Sequence, residues 1–533
     1  MASSELSHTD EDQAHLESLG YKQRLRRTLG TFDSFAFAFS YFSEISNLAI
    51  VLGLGLALGG PAFIWSWPMV VGGMLLVTFL FCELAAHYPV AGSVYNWSKA
   101  LARSKIAPWL TGWLVVIAVI VAFASMAPAF GLIMPQLWQG FQLVGDGKGQ
   151  YDFAANTVIL GAVFIGISCL FNCVGTRTVS RINKIGIRIE IIASIVFVIA
   201  FLFKAKRSPA VLFETADTGT SHHWGYAGAF LAAAIASAYS LTGMDAASDM
   251  AEETVNPRKA APRSMLYAVG AAAVTFFVLT TVALMAVPNP ASSRYASGGL
   301  PAMIIDVFGE TWGKIALIVI LMALISAALA VQSFAIRVTF GMARDNNLPF
   351  GARLSRVSEK TGTPITLTIL IGVIAIAILV LNVRQPQIAG VIGSMTVALM
   401  YLAYLGVVGP MLFARLRGRW PAPEHAKSGY FHLGRWGTPI TIASFVYLIA
   451  GFINLIWPRQ EIFNPAPPYH WYLQWSGFLF SSLVVAAGLA LYYFYQRHRT
   501  GVVAEHVADR SKPLAGALGT PDSVPPSATP GKE

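Results

Sequence analysis

Twelve stretches of this 533-residue chain are apolar for long enough to cross a bilayer, and little sequence is left over for anything else. A helix rises 1.5 Å per residue, so about 20 apolar residues cover the hydrocarbon core. Runs of that size fall near 32–58, 62–86, 109–135, 155–175, 185–204, 225–250, 264–287, 313–340, 364–382, 388–413, 437–457 and 472–495. Charged residues make up only 12% of the chain, against about 25% in soluble domains, and the mean hydropathy is +0.59. The expected fold class is therefore an all-α polytopic membrane protein with about 12 transmembrane helices. Cys82, Cys169 and Cys173 lie in or near the apolar runs, an odd set with no zinc spacing, and read as small packing residues.

The loops set the orientation. Residues 1–29 are polar and end in the basic Lys22, Arg24, Arg26 and Arg27; no short apolar core with a cleavage site precedes the first run, so no cleaved leader is expected. With an N-terminus inside, roughly 28 Lys and Arg fall on the inner side and roughly 8 on the outer, with Arg337 left in the eighth span. Both termini are thus expected in the cytoplasm of a cell-membrane protein. The net charge of +10 is scattered through these short loops, which suits membrane topology and argues against a nucleic acid partner. Residues 497–533 are rich in Pro, Ser, Gly and Ala and read as a disordered cytoplasmic tail.

Two spans carry signs of a break. Backbone polar groups cannot stay unpaired in lipid, so an interrupted helix at mid-membrane survives only where it lines a cavity. The first span holds Ser40-Tyr41-Phe42-Ser43-Glu44-Ile45-Ser46-Asn47, and the sixth holds Tyr239-Ser240-Leu241-Thr242-Gly243-Met244-Asp245. These are matching positions if the first ten helices form two repeats of five, and paired breaks of this kind point to a transporter site. A half-helix that starts at mid-membrane offers free N–H groups to a carboxylate, and one that ends there offers carbonyls to an ammonium. A small amino solute meets both needs. The plainer alternative is Ser and Thr bonding back to helix carbonyls, with Gly allowing close packing.

Several motifs carry a resemblance. Glu83-Leu-Ala-Ala-His87-Tyr88-Pro89-Val-Ala-Gly92-Ser-Val-Tyr95-Asn-Trp97, the stretch from Thr242 through Glu252-Glu253-Thr254-Val-Asn256-Pro257 to Ala261-Pro262-Arg263, and Met342-Ala343-Arg344-Asp345-Asn-Asn-Leu348-Pro349 occur in that order. The chain resembles the amino acid–polyamine–organocation permeases. Gly59-Gly60-Pro61 and Asn172-x-x-Gly175 lean toward the branch that carries amino acids, GABA and choline. The resemblance implies the LeuT-type fold of two inverted five-helix repeats, here 30–204 and 225–413, with 414–496 holding spans eleven and twelve. It places substrate contacts at Ser43, Glu44, Ile45, Ser46 and Asn47, and at Tyr239, Ser240, Leu241, Thr242 and Gly243. Tyr239 would be an aromatic gate. Ile45-Ser46-Asn47 stand where many relatives have Gly-Ser/Thr-Gly, a departure that narrows backbone approach.

Acids inside spans are costly and mark function by default. Glu190 lies in the fifth span, where it can carry a proton, pair with a loop Arg or touch substrate. Glu44 lies at the first break and can meet an ammonium group, hold a proton or cap the neighbouring half-helix. Asp245 begins the second half of span six, where capping competes with coupling or gating. Glu252 and Glu253 are expected in inner-gate ion pairs, with Arg337 also assigned to gating. Sodium would need oxygens from spans one and eight; Ser333 is available, but Ile336 stands where many relatives have Ser, so proton coupling is favoured and sodium stays open.

No phosphate loop, nucleophile elbow or metal-ligand spacing of His points to an enzyme. The expected function is a secondary transporter with no cofactor, carrying amino acids or relatives such as GABA with protons among membrane lipids. The alternatives are an amine, polyamine or choline carrier, an exchanger, and at greater remove a channel or sensor.

Overall fold

The computed structural model describes residues 12–23, 25, 27–221, 224–384, 388–422, 429–464, 467, 469–499 and 503. Among them every regular element is helical, and the β contact is a bridge between Leu29 and Thr254. Ten helices are long and apolar enough to cross a membrane. Two shorter apolar helices, Tyr226–Ser240 and Ile365–Leu381, fall on the sixth and ninth expected runs. The all-α polytopic architecture is as the apolar runs require. The expectation of a disordered tail over 497–533 falls almost wholly outside the described residues.

The first span is two helices, α1 (Thr31–Phe42) and α2 (Glu44–Gly59). Then come α3 (Ser66–His87), the short α4 (Ser93–Leu101), α5 (Ile106–Ser125), α6 (Ala127–Leu137), α7 (Asp152–Val174) and α8 (Thr176–Phe203). The sixth span opens with α9 (Tyr226–Ser240), and past its break only the one-turn α10 (Ala246–Asp249) and a 3-10 turn at Ala251–Glu253 remain helical. Its second half is far shorter than the run at 225–250 suggests. The rest are α11 (Pro257–Ala286), α12 (Ser293–Arg344), α13 (Ile365–Leu381), α14 (Ile388–Leu416), α15 (Gly437–Ile456) and α16 (Ser476–Leu491). Helix α12 starts twenty residues before the run at 313–340; non-helical dihedrals at Gly299 (φ 53°) and Gly309 (φ 78°) kink it outside the span proper.

Packing places the broken spans at the centre. Helix α2 lies against α9 and α12, α1 against α11 and α12, and α5 against α14. The third span is the most enclosed of the long helices, whereas α15 and α16 turn most of their surface outward. Exposed side chains such as Ile192, Ile195, Val163 and Leu483 are apolar, as a lipid-facing surface demands.

The segment before α1 is ordered against the helices. Leu16 and Tyr21 are buried with Val90. The amides of Thr28 and Leu29 both donate to the Glu253 carbonyl at 2.9 Å, and Val255 donates back to Leu29 at 2.9 Å. Gln23 donates to the Glu252 carbonyl and Arg27 to the Thr254 carbonyl. This strap therefore binds the residues that follow the broken sixth span.

Candidate substrate site and its flanking carboxylates

The first break is one residue wide. Ser43 takes a left-handed conformation (φ 33°, ψ 71°), yet its amide still bonds Phe39 O and its carbonyl accepts from Asn47 N, both at 2.9 Å. The kink leaves carbonyls near the end of α1 without helical partners, and local side chains supply one: the Asn47 amide donates to Phe42 O. Ser43 Oγ donates to Ser46 Oγ at 2.8 Å. The polar cluster thus serves the break itself before it can serve a ligand.

The second break is wider. Helix α9 ends at Ser240, and Gly243 has φ +88°. A Cβ on Gly243 would lie 2.1 Å from the Tyr41 ring, so both conformation and space require glycine there. The Gly243 amide donates to Tyr404 Oη at 3.0 Å, and that hydroxyl donates to Asp245 Oδ1 at 2.7 Å. Asp245 occupies the cap position of α10 but makes no side-chain cap bond. Its second oxygen instead accepts from Ser93 Oγ at 3.1 Å. Asp249, one turn on, accepts from the amides of Gly92 and Ser93 at 2.8 and 2.9 Å and from Ser93 Oγ at 2.8 Å. Both aspartates are fully buried, and both tie the sixth span to the loop ahead of α4.

Between the breaks lies a hollow of about 20 Å³, lined by Tyr41, Asn47, Met126, Tyr239, Thr242 and Thr396 among others. That is room for roughly one water, so the site is shut around itself. Tyr239 Oη lies 2.7 Å from Ser125 Oγ. Tyr41 Oη is buried with no hydrogen-bond partner, and its ring meets Phe334 edge-on at 5.3 Å. None of the residues lining the hollow carries a charge.

Of the residues singled out from the sequence, Asn47, Tyr239 and Thr242 line the hollow. Ser43, Ile45, Ser46, Ser240 and Leu241 are buried in the surrounding packing, and Gly243 lies under Tyr41. Glu44 sits within electrostatic reach of Glu190. Both are buried to within 1% of full enclosure, and none of their four carboxyl oxygens has a hydrogen-bond partner of full geometry. The Glu190 carboxyl approaches the Ser43 hydroxyl and the amides of Glu44 and Ile45. It therefore stands at the N-terminus of α2, where the helix dipole favours negative charge. Of the three readings of Glu190, the ion pair with a loop Arg is not made among the described residues. Ser333, the candidate sodium ligand, donates to Asn172 Oδ1 at 2.8 Å instead. No cluster of His, Cys, Asp and Glu able to hold a metal occurs among the described residues.

The residues assigned to gating from the sequence behave differently. Glu252 pairs with Arg344 at 2.8 Å and accepts from the Ala91 amide at 2.9 Å, with both side chains 1% exposed. Glu253 pairs with Arg337 at 2.8 Å, and Arg337 also donates to Thr176 at 3.0 Å. So the Glu253 partner comes from within the eighth span and not from a loop. On the same side Lys184 holds Asp33 at 2.6 Å, and Lys99 holds Asp345 at 2.5 Å. Tyr21 of the strap donates to Asp345 at 3.1 Å, and the Arg344 guanidinium lies 3.9 Å from its ring centroid. Burial, and then the Asp345 charge, push the Tyr21 pKa up.

Sequence reasoning missed Tyr41, Met126, Ser125, Thr396, Ser93, Asp249 and Tyr404. Tyr41 sat inside a stretch already marked as a polar break, and Asp249 four residues beyond the other. The others come from the third, tenth and pre-α4 segments, where a single hydroxyl or thioether in an apolar run gives no signal.

A chain of membrane-spanning helices with two facing breaks and a hollow between them has the architecture of a solute carrier. The family model described as "Amino acid permease" matches residues 29–486, and the chain belongs to that family. It is 25% identical over 473 residues to Amino-acid permease BAT1 of Arabidopsis thaliana, covering 84% of this chain and 87% of the relative. It is 26% identical to Amino-acid permease 2 of Neurospora crassa over 456 residues, 82% of each chain. It is 23% identical to the GABA-specific permease of Saccharomyces cerevisiae over 476 residues, 84% of this chain and 79% of the relative. The protein is an amino acid transporter of the membrane.

Proposed function

We propose that this permease carries a small zwitterionic amino acid, with GABA-like ω-amino acids in range, into the cell together with a proton. Transport runs by alternating access between two five-helix repeats, 30–204 and 225–413, with 414–496 alongside and both termini in the cytoplasm of the cell membrane. The carrying observation is the buried pair Glu44–Glu190, with no cation paired to either among the described residues, beside a hollow with no charged lining. Two like charges enclosed together need a neutralising proton or cation. A proton on Glu190 frees the amides of Glu44 and Ile45 from its charge. The substrate carboxylate then has that helix N-terminus to itself, while carbonyls at the end of α9 accept its ammonium. Binding of proton and substrate is thereby coupled.

The amine or choline reading needs Glu44 in the hollow as counter-ion. Its position toward Glu190 favours the zwitterion instead. The test is uptake into proteoliposomes with a panel of amino acids and amines under imposed proton or sodium gradients. The expected result is zwitterion accumulation that collapses with a protonophore, and its loss in Glu190→Gln while exchange across the membrane persists. Accumulation driven by sodium and untouched by a protonophore would overturn the coupling. Loss of cation uptake in Glu44→Gln, with zwitterion transport intact, would establish the amine reading in its place.

A further inference from the structure

Acids and bases on the face that carries the strap can be paired off until a remainder is left. Glu83 is fully buried and wholly used: Arg415 pairs with it, Trp420 Nε1 donates to it at 3.2 Å, and the Leu433 amide donates to it at 3.2 Å. Asp345 takes Lys99, Tyr21 and Tyr95 on one oxygen. Arg103, Lys105, Arg417 and Arg419 are among the several cations on this face that make no ion pair among the described residues.

Three of these four lie close together. The Arg417 and Arg419 guanidiniums lie 3.9 and 5.6 Å from the centroid of one ring, Phe413. Arg103 is close enough to Arg419 for the two charges to repel. Arg419 Nε and Nη2 are shielded from solvent, yet no acceptor reaches them. Desolvating cationic donors without a partner is costly, as is crowding like charges. Beside the cluster a recess of about 300 Å³ is lined by Arg103, Ser104, Lys105 and Trp109 among others. Phe413, under the two guanidiniums, and Leu416 in the same last turns of α14 are 45% and 65% exposed.

We infer that Arg103, Arg417 and Arg419 hold the phosphate of an anionic phospholipid whose acyl chain runs along Phe413 and Leu416. A guanidinium matches a phosphate with two parallel N–H donors, and basic pockets beside spans take anionic headgroups. A free anion meets the charge but leaves the apolar wall bare. A lipid covers both. The inner leaflet follows from the orientation proposed above; the site itself does not depend on it, nor on the identity of the transported solute.

The test is the thermal midpoint of the full chain in detergent, titrated with phosphatidylglycerol, with phosphatidylcholine, and with inorganic phosphate or glycerol phosphate. Phosphatidylglycerol is expected to raise the midpoint and the others are not. The double variant Arg417→Gln, Arg419→Gln should need about thirtyfold more of it, since each of the two surface cations contributes about 1 kcal/mol. The double variant Arg417→Lys, Arg419→Lys should fall between. Native mass spectrometry of the unmodified protein gives a readout free of variants: a phosphatidylglycerol adduct should outlast a phosphatidylcholine one. Equal shifts from both lipids, an unchanged titration in the Gln variant, or adducts of equal survival would each overturn the site. A full shift from inorganic phosphate alone would replace the lipid with a soluble anion.

Discussion

Two pairs of glutamates in this protein are equally buried and opposite in character. Glu252 and Glu253 each face an arginine from α12; the Ala91 amide also donates to Glu252, and Arg337 is itself held by donating to Thr176. Glu44 and Glu190 lie within electrostatic reach of each other at the start of α2, and no cation pairs with either among the described residues. A buried charge that is fully paired is a fastener, since removing either partner strands the other. A buried acid without a partner is poor at holding structure and is free to exchange a proton. Burial alone does not separate the two roles; the inventory of partners does.

The contrast can be broken most forcefully at Arg344. Arg344→Ala leaves Glu252 uncompensated and should cost about 3–5 kcal/mol, read as a large fall in thermal midpoint. The double variant Glu252→Ala, Arg344→Ala should recover part of it; a double variant worse than the sum would mean the pair is not the fastener described. Next in size, Glu190→Gln should cut gradient-driven accumulation about 10–100-fold, the span of a typical coupling free energy, with exchange rates measured alongside as the control. Tyr404→Phe removes the donor to Asp245 Oδ1 and the acceptor of the Gly243 amide, and should lower stability by about 1–3 kcal/mol. The smallest effect sharpens the comparison from the other side. Glu44→Gln removes an unpartnered charge and should leave the midpoint unchanged or slightly raised, whereas Glu252→Gln should lower it. Equal losses in the two would erase the distinction drawn here.

The membrane architecture was legible because its signal is long: a run of twenty apolar residues survives any local exception. The breaks were legible for the same reason in reverse, since Ser43–Asn47 and Ser240–Asp245 interrupt such runs with polar groups. What a polar residue at a break does was not legible. Ser43, Ser46 and Asn47 chiefly satisfy one another and the backbone, and only Asn47 reaches the hollow as well. For Asp245 a helix cap competed with coupling or gating, yet its bonds go to Tyr404 and Ser93, 159 and 152 residues away in the chain. Such partners are set by how helices pack, which no local window records. The ordered strap before α1 escaped for a related reason. Its polar sequence resembles a free tail until one sees that its donors meet carbonyls left over at Ala251–Glu253 and Thr254.

That strap makes the start of the chain a sensor. Tyr21 sits on Arg344, and the backbone of 28–29 is stitched to 253–255, so the start of α1, the residues after α10 and the end of α12 cannot separate without peeling it away. A fluorophore attached near Leu19 would brighten or dim with each turnover, giving a stopwatch on the transport cycle that needs no labelled solute. By the same logic, a bulky tag fused close to this segment would slow the carrier while leaving its substrate site intact.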